Sequence, residues 1–130
     1  MYRIAIVDDD YMVRESTKAV IERNFKEENF QVECFSTFSQ LQSELSQELF
    51  TVYILDIELP DGNGLELAKE IRKIQERAYI VFLTAYEKYA LSGYEVRAFH
   101  YIIKEWKRNW YRRCGRSAGR SAYMSKDSIW

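Results

Sequence analysis

The chain has 130 residues, 47% of them hydrophobic and 30% charged, with a formal net charge of −1, a size and balance that fit one globular domain with a substantial core and leave no room for a second. No apolar run approaches the roughly 20 residues that span a bilayer, and the N-terminus opens directly into a short apolar strand without a signal-peptide layout, so a soluble cytosolic protein is expected. Cys34 and Cys114 form neither a CxxC pair nor a metal-ligand spacing and are expected to be reduced thiols.

The elements alternate along the chain. Tyr2 to Val7 is rich in Ile, Val and Ala and stops at Asp8, Asp9 and Asp10; a helical pattern follows, with Val13, Val20, Ile21 and Phe25 near helical spacing. Residues 30–35 alternate apolar and polar and predict a more exposed strand. Phe38, Leu41, Leu45 and Leu49 then recur every three to four residues behind a Thr37/Gln40 capping box. Val52 to Leu55 ends at Asp56, and after a Pro-Asp-Gly-Asn-Gly turn at 60–64 a third helix is marked by Leu67, Ala68, Ile71 and Ile74. Tyr79 to Leu83 predicts a fourth strand, residues 86–93 a short helix, and Phe99 to Ile103 a fifth strand.

Strands that are almost continuously apolar belong in a parallel sheet covered on both faces. The fold predicted is doubly wound α/β, flavodoxin-like, with five parallel strands in the order 2-1-3-4-5 and helices on both faces; the polar second strand suits an edge.

In such sheets ligands sit beyond the carboxyl ends of the strands, where strand order reverses. The first strand ends on Asp8 and Asp9, the third on Asp56, the fourth on Thr84 and the fifth on Lys104, which predicts carboxylates, a hydroxyl and an ammonium on one rim. Carboxylates held close repel, and a raised pKa or a bound cation resolves the repulsion; an open all-oxygen site suits Mg²⁺ (or Mn²⁺). A carboxylate beside such an ion can act as a nucleophile toward phosphorus, with lysine and hydroxyl groups neutralising the transferred group.

Each residue also has a plainer role. Asp10 is expected to cap the first helix. Thr84 to Glu87 reads as a capping box, so the Thr84 hydroxyl has a structural rival role. Lys104 alone would be a solvated strand-end lysine, and Tyr101 alone core filling. His100, the single histidine, cannot form a metal site by itself and is expected at the surface or packed. Gly62 and Gly64 are expected to serve backbone geometry, not phosphate binding.

The strings Ile-Val-Asp8-Asp9-Asp10, Tyr-Ile-Leu-Asp56-Ile-Glu58-Leu-Pro60-Asp-Gly62-Asn-Gly64, Phe-Leu-Thr84-Ala85 and Phe-His-Tyr101-Ile-Ile-Lys104 together resemble the receiver domains of two-component response regulators, over residues 2–104. The resemblance implies that Asp56 is the phosphoacceptor for a sensor histidine kinase. It implies that Asp9, Asp56 and the backbone carbonyl of Glu58 hold the metal, with Asp8 acting through water. By the same resemblance Thr84 binds a phosphoryl oxygen, Lys104 pairs with the phosphoryl charge, and Tyr101 swings inward on activation. The stretch Thr84 to Tyr101 is similar to receivers that precede LytTR-type DNA-binding domains, which implies contact with DNA only through an output domain that this chain lacks, and a homodimer face on the fourth helix and fifth strand. The intact carboxylate set argues against the rival reading, a pseudo-receiver that binds partners without phosphorylation. A metal-dependent phosphatase would need a second aspartate where Glu58 stands.

Residues 105–130 differ chemically: residues 1–104 hold 12 Lys and Arg against 18 Asp and Glu, whereas the last 26 hold 7 against 2. Glu105 stands where the family places a proline, which leaves the Lys104 peptide unrestrained. Trp106, Trp110, Cys114, Ala118 and Ala122 repeat every four residues, yet Gly115 and Gly119 would each cost a helix about 1 kcal/mol. A nucleic-acid-binding basic arm and an altered C-terminus are the two readings of this segment. The chain is accordingly divided into a receiver core, 1–104, and an atypical basic segment, 105–130.

Overall fold

The computed structural model describes residues 2–25 and 29–104; the expectations for the segment from 105 onward, its helical stripe and Cys114 included, lie outside the described residues. Five strands, β1 (Tyr2–Val7), β2 (Phe30–Phe35), β3 (Val52–Leu55), β4 (Tyr79–Thr84) and β5 (His100–Ile103), form one sheet in the order β2-β1-β3-β4-β5, as predicted. All its pairings are parallel, with Ile4 opposite both Val32 and Val52, Val52 opposite Tyr79, and Val81 opposite His100. β2 is the polar edge that its alternating sequence announced, and none of its residues is fully buried.

The helices are α1 (Tyr11–Asn24), α2 (Phe38–Leu45), α3 (Gly64–Ile74) and α4 (Ala90–Glu95). They cover both faces because successive strand residues point to opposite sides. Ala5, Val7, Tyr53, Leu55, Ile80, Phe82 and Tyr101 join Leu41 and Leu45 of α2 and Leu67, Ala68 and Ile71 of α3 in one core. Ile54, Val81, Leu83 and Ile102, on the other face, meet Val13 and Val20 of α1. Among the described residues no helix is long and apolar enough to cross a membrane.

Capping chemistry sets where the helices start. Asp10 accepts from the Met12 and Val13 N–H groups at 2.9 and 3.4 Å, and Asn63 caps α3 through Leu65 N–H at 2.7 Å. The Thr37 hydroxyl accepts from Gln40 N–H at 3.2 Å, while the Gln40 side chain reaches back to Ser36 N–H at 2.8 Å, one residue beyond the reciprocal partner of a capping box.

The periodicity overreached at helix ends. Phe25, Leu49 and Ile74 are exposed: Phe25 and Leu49 fall past the last turns of α1 and α2, and Ile74 is the last residue of α3. The helix expected over 86–93 is a 3₁₀ turn, Glu87–Tyr89, leading into α4 at 90–95. The Thr84 capping box therefore does not form, because Thr84 is still in the sheet, where its carbonyl accepts from Lys104 N–H at 2.7 Å. That same bond holds the Lys104 peptide in the ladder without a following proline.

Candidate functional site

Strand order reverses between β1 and β3, so the residues that follow these two neighbours sit side by side. Asp8 and Asp56 are anchored there by the main chain: Asp8 N–H donates to Phe35 O at 3.1 Å, and Asp56 N–H donates to Val7 O at 2.9 Å. Both side chains are buried, as are Thr84 and Lys104, whereas Asp9 is exposed at the mouth. One carboxylate oxygen from each of Asp8, Asp9 and Asp56 lies within 4.8 Å of the others.

Lys104 enters this group from β5. Its Nζ donates to Asp8 Oδ2 at 2.8 Å and to Asp56 Oδ2 at 3.3 Å. The remaining carboxylate oxygens are held from the backbone, Asp8 Oδ1 by Asp10 N–H at 2.9 Å and Asp56 Oδ1 by Ile57 N–H at 2.7 Å. Burial pushes the Asp8 carboxyl up to about 6; Lys104 opposes the shift and the Asp56 charge adds to it. Burial alone would depress the Lys104 ammonium, but Asp8 and Asp56 outweigh it and hold the group above its ordinary value. One cation thus sits among three carboxylates, and the excess negative charge favours a second cation at the open side. Hard oxygen donors beside an exposed mouth fit Mg²⁺ or Mn²⁺, which keep several waters in their coordination shell.

Glu58 lies in a short hairpin, Glu58–Leu59 paired antiparallel with Gly62–Asn63. Its carboxylate is outside the acidic group and accepts from the Tyr89 hydroxyl at 3.1 Å, which leaves the main chain as its means of reaching a metal. Gly64 N–H donates to Ile57 O at 2.7 Å, and a Cβ at Gly64 would stand 2.1 Å from the Asp56 carbonyl oxygen. Glycine is required there so that α3 can start against the phosphoacceptor candidate's own backbone. The geometric role expected for Gly62 and Gly64 is the one they have.

The Thr84 hydroxyl accepts from Tyr86 N–H at 3.4 Å. Tyr101 is buried against Phe82, and its hydroxyl donates to the Tyr86 carbonyl; burial holds its phenol well above the usual range and keeps it a donor. His100 packs edge-on to Phe99 with ring centroids 5.1 Å apart, away from the acidic group.

Three contributors escaped the sequence reading. Arg14 donates to the Asp8 carbonyl at 2.7 Å, Tyr89 holds Glu58, and Asp61 ties the hairpin to α2 through Phe38 N–H at 2.8 Å and Ser39 N–H at 3.0 Å. Arg14 and Asp61 act on backbone atoms, which no spacing rule points to. Tyr89 did stand in the Thr84–Tyr101 stretch singled out above.

Comparison with known proteins agrees with this architecture. The family model of the response regulator receiver domain matches residues 4–112. Among curated relatives, the sensory transduction protein LytT of Bacillus cereus is 38% identical over 104 residues, covering 80% of this chain and 42% of the relative. LytT of Bacillus subtilis is 34% identical over 110 residues, with the same shares covered. The chain therefore spans about two-fifths of the length of these relatives. Among solved structures, the BeF3-activated DrrB receiver domain superposes with a TM-score of 0.69 at 28% identity, over 89% of this chain and 96% of that one. The response regulator TrrA of Thermotoga maritima in complex with Mg²⁺-BeF gives 0.65 at 31% identity, over 87% and 95%.

Proposed function

The chain belongs to the response-regulator receiver family, and from that premise we propose that it is a phosphorylation switch whose phosphoacceptor is Asp56. The observation that carries this reading is the convergence of Asp8, Asp9 and Asp56 with Lys104 at the carboxyl ends of three strands. An Asp56 carboxylate oxygen attacks the phosphorus of a donor, a kinase phosphohistidine or a small acyl phosphate. The new O–P bond forms as the bond to the imidazole nitrogen or acyl oxygen breaks, and the departing group keeps the electron pair.

Asp9, Asp56 and the Glu58 main-chain carbonyl would hold Mg²⁺ (or Mn²⁺), with Asp8 acting through water, and the ion would neutralise charge on the transferring oxygens. Lys104 supplies a second positive charge from within the protein. Its present bond to Asp56 Oδ2 can be exchanged for one to the phosphoryl group, and the Thr84 hydroxyl supplies a further donor. Phosphorylation converts the Asp56 carboxylate, with one negative charge, into an acyl phosphate with about two and three acceptor oxygens, which draws Thr84 and Lys104 toward it. Tyr101, through the Tyr86 carbonyl, transmits that shift to the turn before α4.

Leu91 and Tyr94 of α4 and Phe99 before β5 are exposed, and this face is where a second receiver would dock. The similarity to LytT proteins, which extend well beyond the matched region, supports a LytTR-type output domain in the full regulator, and through it contact with DNA.

Incubation with Mg²⁺ and acetyl phosphate, followed by intact mass spectrometry, tests the reading. The parent gains one phosphoryl mass and Asp56→Asn gains none. A parent that gains nothing would mean a receiver fold used only for binding.

A further inference from the structure

The hairpin that follows Asp56 is gripped at both ends. At its base, Gly64 N–H is bonded to Ile57 O, and the two chains pass so closely that a side chain at Gly64 would strike the Asp56 carbonyl. At its tip, Pro60 and Asp61 join Leu59 to Gly62, and this tip abuts the start of α2. Both Asp61 carboxylate oxygens are used: Oδ1 accepts from Phe38 N–H at 2.8 Å and Oδ2 from Ser39 N–H at 3.0 Å. Beside them Gly62 lies flat on the Phe38 ring, where a Cβ would come within 2.6 Å of Cδ2.

Phe38 and Ser39 are the first two residues of α2, so their N–H groups have no partner within the helix. The third, Gln40, is served locally by Thr37. An eight-residue helix is marginal without such help. A carboxylate there gains twice, from charge-assisted bonds and from the helix dipole. Asp61 is exposed; desolvation raises its carboxyl, but the bonds from Phe38 and Ser39 together outweigh it and hold the group below the ordinary range. The α2 N-terminus is therefore capped in part by a residue more than 20 positions downstream in the hairpin that leads away from Asp56.

We propose that Asp61 is a positioning residue of the Asp56 site: by hooking the hairpin tip onto the first turn of α2 it fixes the hairpin's tilt and holds the Glu58 main chain at the acidic group. The inference rests on the reading of Asp9, Asp56 and the Glu58 carbonyl as metal ligands. The hook needs an acceptor pair, and Asp61→Asn provides one acceptor and one donor, so one of the two N–H groups meets an amide N–H instead of an oxygen.

Isothermal titration of the full chain with Mg²⁺, comparing the parent with Asp61→Asn and Thr37→Ala, separates positioning from mere helix support. Thr37→Ala removes a bond from the same helix end without touching the hairpin. Asp61→Asn is expected to bind Mg²⁺ roughly fivefold more weakly, less than the tenfold or more lost when a group bonded directly to a metal ligand is removed. Thr37→Ala keeps the parent's affinity while lowering the melting temperature. Amide hydrogen exchange adds a readout independent of metal: in Asp61→Asn protection falls at Glu58 as well as at Phe38 and Ser39, whereas in Thr37→Ala it falls within α2 alone.

Equal Mg²⁺ affinities for parent and Asp61→Asn would overturn the proposal, and so would an equal loss in both variants, which would assign the effect to α2 as a whole. If Asp61→Asn does not fold, Asp61→Ser, which keeps one acceptor, is judged by the same two measurements. A parent that binds no Mg²⁺ would instead remove the metal reading of the site and this inference with it.

Discussion

The two ends of the sheet handle buried charge and polarity in opposite ways. At the amino end of the strands Arg72, Tyr53, Gln75 and Arg3 are each held by defined partners. The Arg72 side chain donates to four carbonyls, Val96 at 2.9 Å, Arg97 at 2.8 Å, Glu76 at 3.0 Å and Ala78, and so pins α3 to the loops before β4 and β5. Tyr53 accepts from Phe50 N–H at 3.0 Å and donates to Gln75, whose amide returns to Phe50 O at 2.7 Å. Arg3 pairs with Glu33 and Glu48 and stacks 4.2 Å over the Phe50 ring. At the carboxyl end three carboxylates crowd together, and Lys104 bridges two of them, Asp8 and Asp56. The amino end is tied together by paired groups; the carboxyl end gathers like charges. Strain of that kind persists only where the surrounding structure fixes it in place, and it marks the end where a cation or phosphoryl group has something to relieve.

The sharpest way to break this contrast is to remove the ammonium that bridges Asp8 and Asp56. Lys104→Met leaves Asp8 and Asp56 buried and uncompensated, and a loss of about 3 kcal/mol is expected in metal-free urea unfolding. Added Mg²⁺ should recover a large part of that loss, since the vacated charge is what the ion replaces. No recovery with Mg²⁺ would mean that the acidic group does not admit a divalent ion.

At the amino end the matching test is Arg72→Ala. Bonds from a charged donor are among the stronger ones, yet the freed carbonyls are partly exposed and water takes up some of them, so about 2 kcal/mol is expected. Mg²⁺ should not restore it. The end of α4 also depends on this region, because Val96 and Arg97 close that helix. The Arg97 N–H donates to Tyr94 O at 2.9 Å and the Ala98 N–H to Gly93 O at 3.2 Å, with Arg97 in the left-handed region at φ 58°, a position where glycine is usual. Arg72 holds the carbonyl of that strained residue. Hydrogen exchange in α4 should therefore quicken in Arg72→Ala, and unchanged exchange would confine the arginine to the α3–β4 loop.

The same contrast explains what could be read from sequence. Strands that run apolar and stop at a polar residue named Asp8, Asp56, Thr84 and Lys104 as rim groups, because strand order and strand ends are both written in local pattern. The edge position of β2 was legible for the same reason. Arg72 and Asp61 were not, since an arginine at the end of a helix and an aspartate in a turn are ordinary, and their partners are main-chain atoms brought near by the fold. The rival capping-box role of Thr84 does not materialise, because the motif does not encode where the strand ends. The four-residue match was present, but β4 runs through Thr84 and the first helical turn begins only at Glu87. Tyr101 shows a third case: its aromatic character predicted burial, and the fold adds a partner for its hydroxyl, the Tyr86 carbonyl.

The finest test of the contrast is the pH dependence of Asp8. Its carboxyl stands at about 6 in the folded protein against 3.8 as the ordinary value, so the folded state holds this proton more tightly than the unfolded chain does. The stabilisation tied to that proton is complete below pH 3.8 and is lost as pH rises through 6. In the absence of metal, stability relative to Asp8→Asn, which cannot titrate, should fall between pH 4 and pH 7 by on the order of 1–2 kcal/mol; the full shift would give more, but the pairing with Lys104 shares the effect. Mg²⁺ competes for the same carboxylate, so its apparent affinity should weaken as pH drops below about 6, and at saturating Mg²⁺ the fall in stability toward neutral pH should disappear. A parent and an Asp8→Asn variant that follow the same pH curve would show that the carboxyl end carries no more electrostatic strain than the amino end.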